Sequence, residues 1–195
     1  MSNAEIIHSS GKDDWATPHP LFNFMNREFQ FGLDAAADSR NAKCTNYLGP
    51  DHADPARRNA LVIENWFDHC EMQLGRVPAI WVNPPYSRAV GKWLAKGKEQ
   101  SQFGIVVMLV FARTDTKWFQ DIVWQSSEIR LIRSRLKFID PATGKPAQSK
   151  DKKTGRMTDQ AATAPSAVVV FKPGWDGPPV WRRMQRIDYA WSVTG

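Results

Sequence analysis

The chain has 195 residues and an ordinary apolar fraction of 42%, which suits one domain with its own core. No run is long and apolar enough to span a bilayer, and Met1 to Asp14 holds no signal-peptide core, so the reading is a cytoplasmic protein. The net charge of +6 directs attention to polyanionic partners. Cys44 and Cys70 are far apart, form no CxxC and read as reduced thiols. His8, His19, His52 and His69 lack metal-ligand spacing, so no metal is expected.

In chain order, residues 1–12 read as a flexible polar lead-in. Thr17-Pro18 then predicts a helix start, a hydroxyl cap followed by proline. Leu21, Phe24, Met25 and Phe29 recur at helical spacing through about Glu28. Phe29 to Asp34 alternates and reads as a short strand. Ala35-Ala36-Ala37-Asp38 follows, with side chains small enough for close backbone approach. Residues 38–58 read as a polar surface excursion, and Leu61-Val-Ile63 as another short strand.

Ala79-Ile-Trp-Val82 is an apolar run that breaks into Asn83-Pro84-Pro85-Tyr86, the end of a buried strand. The prolines fix φ and remove backbone donors, leaving a stiff loop with free carbonyls. With the Asn amide and the ring, this loop suits a planar amino-bearing group. Ser87 can cap a helix that buries Val90, Trp93 and Leu94. Gly104 to Ala112 reads as a strand buried on both faces. Thr114 or Asp115 then caps a helix burying Trp118, Phe119, Ile122 and Val123. Ile129 to Ile139 and Ser166 to Phe171 read as strands around a mobile segment, Asp140 to Pro165. Residues 174–195 read as a tail with a short helix that packs back. Helices alternating with apolar strands give one α/β domain with a mostly parallel sheet, whose ligands lie at the strands' carboxyl ends.

Between Glu128 and Arg156 lie nine basic residues against three acidic ones, and that excess equals the net charge of the whole chain. Arg133, Arg135, Lys137, Lys145, Lys150, Lys152, Lys153 and Arg156 are therefore candidate phosphate contacts. A solvated, flexible loop is the alternative on charge alone.

Taken together, Trp15-x-Thr17-Pro18, Leu33-Asp34-x-Ala36-Ala37-Asp38 and Trp81-Val-Asn83-Pro84-Pro85-Tyr86-Ser87 resemble the phage-type, Dam-like DNA N6-adenine methyltransferases. Arg135-Leu-Lys-Phe138 and Pro165 to Phe171 resemble that family's closing antiparallel hairpin. The likeness spans residues 13–173. It implies a single-domain, Rossmann-like class I methyltransferase fold, S-adenosylmethionine as cofactor, double-stranded DNA as substrate, and a phage or prophage origin in a bacterial host. It further implies that Asn83 and the Pro84 carbonyl accept from the adenine amine, within the tetrad completed by Pro85, and that Tyr86 stacks on the flipped base. Trp15, Thr17, Pro18, Asp34, Ala35, Ala36 and Asp38 would contact the cofactor. The family often carries an acidic residue where this chain has Asn59, and the first loop lacks the glycines of many methyltransferases.

The chemistry asks for such residues. An adenine amine is a poor nucleophile because its lone pair is delocalised. Two acceptors on its N–H groups favour a pyramidal nitrogen and disperse the charge that develops on it. A base removed from the duplex needs an aromatic platform. Base-reading contacts are expected from residues 38–58 and 140–163. Two other readings remain open: transfer to an RNA adenine or a protein glutamine amide, and a catalytically silent nucleic-acid-binding module on the same fold.

Overall fold

Every residue of Val106–Phe111 and of Ser166–Phe171 is buried, and the two runs lie side by side in the middle of a seven-stranded sheet. The structure is a computed structural model and describes residues 15–70, 75–151, 154–187 and 190–194. Its elements are α1 (His19–Phe29), β1 (Phe31–Asp34), β2 (Ala79–Val82), α2 (Val90–Gln100), β3 (Val106–Phe111), α3 (Lys117–Asp121) and β4 (Glu128–Ile132). Two small hairpins follow, β5 (Ile139–Asp140) with β6 (Lys145–Pro146) and β7 (Gln148–Lys150) with β8 (Met157–Asp159). The chain then forms β9 (Ser166–Phe171), β10 (Val180–Ile187) and β11 (Ala190–Thr194).

The sheet order is β1-β2-β3-β9-β4-β10-β11. Only β9 and β11 oppose the other five strands, so the sheet is mostly parallel in direction. Alternation along each strand separates two cores. Val106, Met108 and Val110 of β3 join Val90 and Leu94 of α2 and Phe119 of α3 on one face. Val107, Leu109 and Phe111 join Leu21, Phe22 and Met25 of α1 on the other. The approach of α2 to the sheet depends on Gly97, where an added Cβ would lie 2.5 Å from the Met108 sulfur.

Several local expectations are replaced. Thr17 does not cap α1; Pro18 stands at the N-cap and makes no side-chain cap bond, so the prolines preset the helix start. Leu61-Val-Ile63 is not a strand, because the Asn59 carboxamide oxygen takes the Leu61 amide and folds Ala60–Val62 into a 3-10 turn. The strand expected from Ile129 to Ile139 ends at Ile132, so the arm that pairs with β9 is β4 and not Arg135 to Phe138. Much of the segment expected to be mobile is ordered as β5–β6 and β7–β8. The tail is not a helix but the β10–β11 hairpin, whose first strand pairs in parallel with β4. The lead-in 1–12 lies outside the described residues.

An ion cluster joins helix and sheet. The Arg130 guanidinium, 3% exposed, bonds both Glu28 oxygens at 2.6 Å and the Glu128 carboxylate at 2.8 and 3.2 Å. Arg182 of β10 shares Glu128 at 2.8 Å. Arg130 also lies 5.1 Å over the Phe29 ring. Counted by sequence within the basic run, Arg130 is thus a buried tie between α1, β4 and β10. Removing it leaves Glu128, which is only 6% exposed, with Arg182 on one oxygen and no partner among the described residues on the other. Arg130→Met is expected to lower stability by about 3 kcal/mol in urea denaturation; a loss below about 1 kcal/mol would mean that solvent screens the cluster.

Candidate active site

At the carboxyl ends of β1 and β2, the Ala35 amide donates to the Trp81 carbonyl at 2.9 Å and holds the two strand ends together. A cleft of about 400 Å³ opens above them. Trp15, Ala36, Asp38, Asn83 and Pro85 line it, five residues singled out by sequence and drawn from three distant stretches of the chain. Trp93, Leu48, Gly49 and Asn59 are among the other residues of its walls; of these four only Asn59 was marked by the sequence, as the position where the family often carries an acidic residue. At Gly49 an added Cβ would sit 1.6 Å from the Ala37 carbonyl oxygen, so only glycine permits this closeness. The Asn59 oxygen is engaged by the Leu61 amide.

Thr17, Pro18, Asp34 and Ala35, also expected to contact the cofactor, are not among the residues that line the cleft. Asp34 is buried; its carboxylate accepts from the amides of Lys43 at 3.0 Å and Ala36 at 3.4 Å, which folds the following loop back over β1. Ala35 and Thr17 are buried, and Pro18 begins α1. Asp38 accepts from the amides of Arg40 and Asn41 and pairs with the Arg40 guanidinium at 2.7 Å. Two buried groups at this end, the Trp15 indole N–H and the Thr17 hydroxyl, have no hydrogen-bond partner among the described residues.

The Asn83 carboxamide is fixed at both ends. Its Nδ2 donates to the Trp15 carbonyl at 2.8 Å, and its Oδ1 accepts from the Tyr86 hydroxyl at 2.8 Å. The Trp15 carbonyl requires a donor opposite it, so the amide has one orientation. Ala16 in turn pairs with Ile139 through bonds of 2.9 and 3.0 Å, tying this crossing segment to the β5 hairpin. The Tyr86 ring stacks on Phe111 at 4.1 Å and meets Phe138 edge-on at 5.5 Å, so one of its faces is already covered. Burial raises its phenol well above the usual range, keeping the hydroxyl a donor. Pro84 is buried, and its carbonyl has no donor among the described residues. Beyond Tyr86 lies a second pocket of about 610 Å³ between the ends of β2 and β3. The loop from Asn83 to Ser87 is therefore the wall between two cavities.

The basic run is not one surface. Arg133 bonds Gln185 of β10 at 3.1 Å, Arg135 bonds the carbonyls of Ala162 and Thr163, and Lys137 pairs with Asp159 at 3.0 Å. Lys145, Lys150 and Arg156 are exposed on the small hairpins. Lys152 and Lys153 lie outside the described residues.

The family model for DNA N-6-adenine-methyltransferase (Dam) matches residues 5–173. The DNA N-6-adenine-methyltransferase of Haemophilus phage HP1 (strain HP1c1) is 30% identical over 183 residues, covering 89% of this chain and 86% of that protein. The DNA N-6-adenine-methyltransferase of Escherichia phage T1 is 27% identical over 158 residues, covering 72% of this chain and 60% of its own length.

Burial lifts the Asp34 carboxyl from 3.8 to about 6, against the opposing pull of the Lys43 and Ala36 amides. The native state then holds this proton more tightly than the unfolded chain does. Its contribution to stability is complete below about pH 4 and is lost as pH rises through about 6. A difference of roughly two units corresponds to about 3 kcal/mol. Asp34→Asn is expected to remove that part of the decline between about pH 4 and 6 in urea denaturation; an unaltered pH profile would assign the titration to another group.

Proposed function

The chain belongs to the DNA N-6-adenine-methyltransferase family, and we propose that it transfers a methyl group from S-adenosylmethionine to N6 of an adenine turned out of double-stranded DNA. One observation carries this reading: the Asn83 carboxamide oxygen is held in a single orientation at the wall between two cavities. The sheet, five strands in one direction with β9 set against them, is compatible with a Rossmann-like class I methyltransferase fold.

The cleft residues fit the cofactor. Trp15 and Trp93 offer flat apolar walls, Ala36 and Gly49 allow backbone approach, and Asp38 and Asn59 lie on its polar side. The Trp15 indole supplies a buried donor in want of a partner. S-adenosylmethionine contributes an activated methyl group bound to a sulfonium. The chain's own residues do the remainder by orientation.

The Asn83 oxygen has two lone pairs, and the Tyr86 hydroxyl uses one. The other can accept from the adenine amine, and the Pro84 carbonyl supplies the second acceptor. Neither Pro84 nor Pro85 has an N–H to compete. Both acceptors draw on the amine hydrogens as nitrogen becomes positive, without a strong base. Tyr86 is steadied from behind by Phe111 and leaves its other side for the base. The setting proposed for this reaction is the cytoplasm of a bacterial host carrying the phage or prophage gene.

Full-length protein incubated with methyl-labelled S-adenosylmethionine and unmethylated DNA is expected to place label on N6 of adenine at defined sites. Label confined to RNA or protein, or no transfer by protein that binds the cofactor, would overturn the proposal. Asn83→Ala is expected to cut kcat at least ~100-fold, the scale for losing an oriented transition-state partner. It also frees Trp15 from one hydrogen bond of about 1 kcal/mol, so cofactor affinity should change less than ~10-fold. Calorimetry and single-turnover transfer measure the two effects separately.

A further inference from the structure

We propose that Arg88 and Arg113 form a phosphate clamp at the second pocket, gripping the DNA backbone beside the extruded adenine. The proposal rests on the DNA reading above and adds contacts that the basic run between Glu128 and Arg156 does not provide.

Arg88 and Arg113 come from different elements and line the same pocket as Tyr86, Phe111 and Trp118. Arg88 lies in the turn between the tetrad and α2, where the Ser87 hydroxyl takes the Ala89 amide at 3.2 Å. Arg113 follows the carboxyl end of β3. Its main chain is pinned on both sides: its amide donates to the Phe111 carbonyl at 2.9 Å, and its own carbonyl accepts from the Thr116 amide and hydroxyl at 3.1 and 2.7 Å. Its guanidinium is 5.7 Å from the centre of the Phe111 ring, the ring on which Tyr86 stacks. One continuous stack thus runs from the tetrad to a cation.

Neither guanidinium has a carboxylate partner among the described residues, and both side chains are exposed. The contrast with the basic run is physical. Arg130 is neutralised in the ion cluster, and Arg133, Arg135 and Lys137 are bonded within the protein. Arg133 and Arg135 keep their charge but spend donors on neutral groups away from the second pocket, whose lining takes its positive charge from Arg88 and Arg113. A guanidinium can meet a phosphate diester with two parallel N–H donors, which fixes the backbone's position as well as its charge. An apolar floor with cations at its margin suits a nucleotide whose base leaves the helix while its phosphates stay in water.

The test compares wild type with Arg88→Gln/Arg113→Gln, using full-length protein, a short fluorescent DNA duplex and unmethylated plasmid. The double variant is expected to bind S-adenosylmethionine as wild type does by calorimetry, which also reports that it is folded. Its DNA Kd and its KM for plasmid should rise at least ~10-fold near 0.15 M salt, and the log–log salt slope should become shallower by nearly two. Arg88→Lys/Arg113→Lys should recover most of the salt slope, because the charge remains, and less of the affinity, because the paired donors do not. A salt slope in the Gln variant within about 0.3 of wild type, with intact cofactor binding, would overturn the clamp alone. Wild-type protein that binds the cofactor but neither binds nor methylates DNA would overturn the DNA reading and the clamp with it.

Discussion

A carboxamide can face two ways, and at Asn83 one of them is closed. The Trp15 carbonyl on one side admits only the NH2 group, and the Tyr86 hydroxyl on the other delivers its hydrogen to the oxygen. Each bond contributes about 1 kcal/mol net, but together they set a direction. They also join stretches distant in sequence: the crossing segment at Trp15, the loop after β2, and, through Ala16 and Ile139, the base of the first small hairpin. The aromatic packing of Tyr86 on Phe111 and Phe138 then fixes the hydroxyl's position.

The sheet supplies the geometry that this constraint needs. Strands buried on both faces leave their side chains no freedom, so whatever is functional must emerge from their ends. At the ends of β1, β2 and β3 the main chain turns away in three loops, and the middle one separates two cavities. Ala35 and Trp81 set the spacing of the first two loops by a backbone hydrogen bond, and the stack of Tyr86 on Phe111 links the second to the third. Orientation across the tetrad is therefore inherited from the core.

What the sequence made legible follows from how local its causes are. Ser166–Phe171 forms the expected strand residue for residue, because an unbroken apolar run bounded by Pro165 and Lys172 has few other ways to be buried. The tetrad falls at the end of β2 because two prolines cannot continue a ladder. The excursion after Asp38 was legible as a surface loop. Its role as a cleft wall, through Leu48 and Gly49, was not, because it depends on Asp34 capturing a distant amide. Likewise Asn59 overrides the strand propensity of Leu61 to Ile63 with one side-chain bond. The tail's mixture of tryptophans and arginines carries no period that forecasts pairing with β4, a decision made by the open edge it meets. Counting charge by segment failed at Arg130, since a count records cations and not the carboxylates beside them.

The hairpin of β10 and β11 lies beyond residue 173, where the match to the family ends. Its first strand occupies the side of β4 away from β9 and is fastened there by the shared carboxylate of Glu128. Growth at a rim of this kind leaves the loops at the other side of the sheet untouched. The hairpin covers the edge of β4 and makes β11 the outer strand, so the margin open to pairing with another chain lies two strands further from the loops that hold the tetrad.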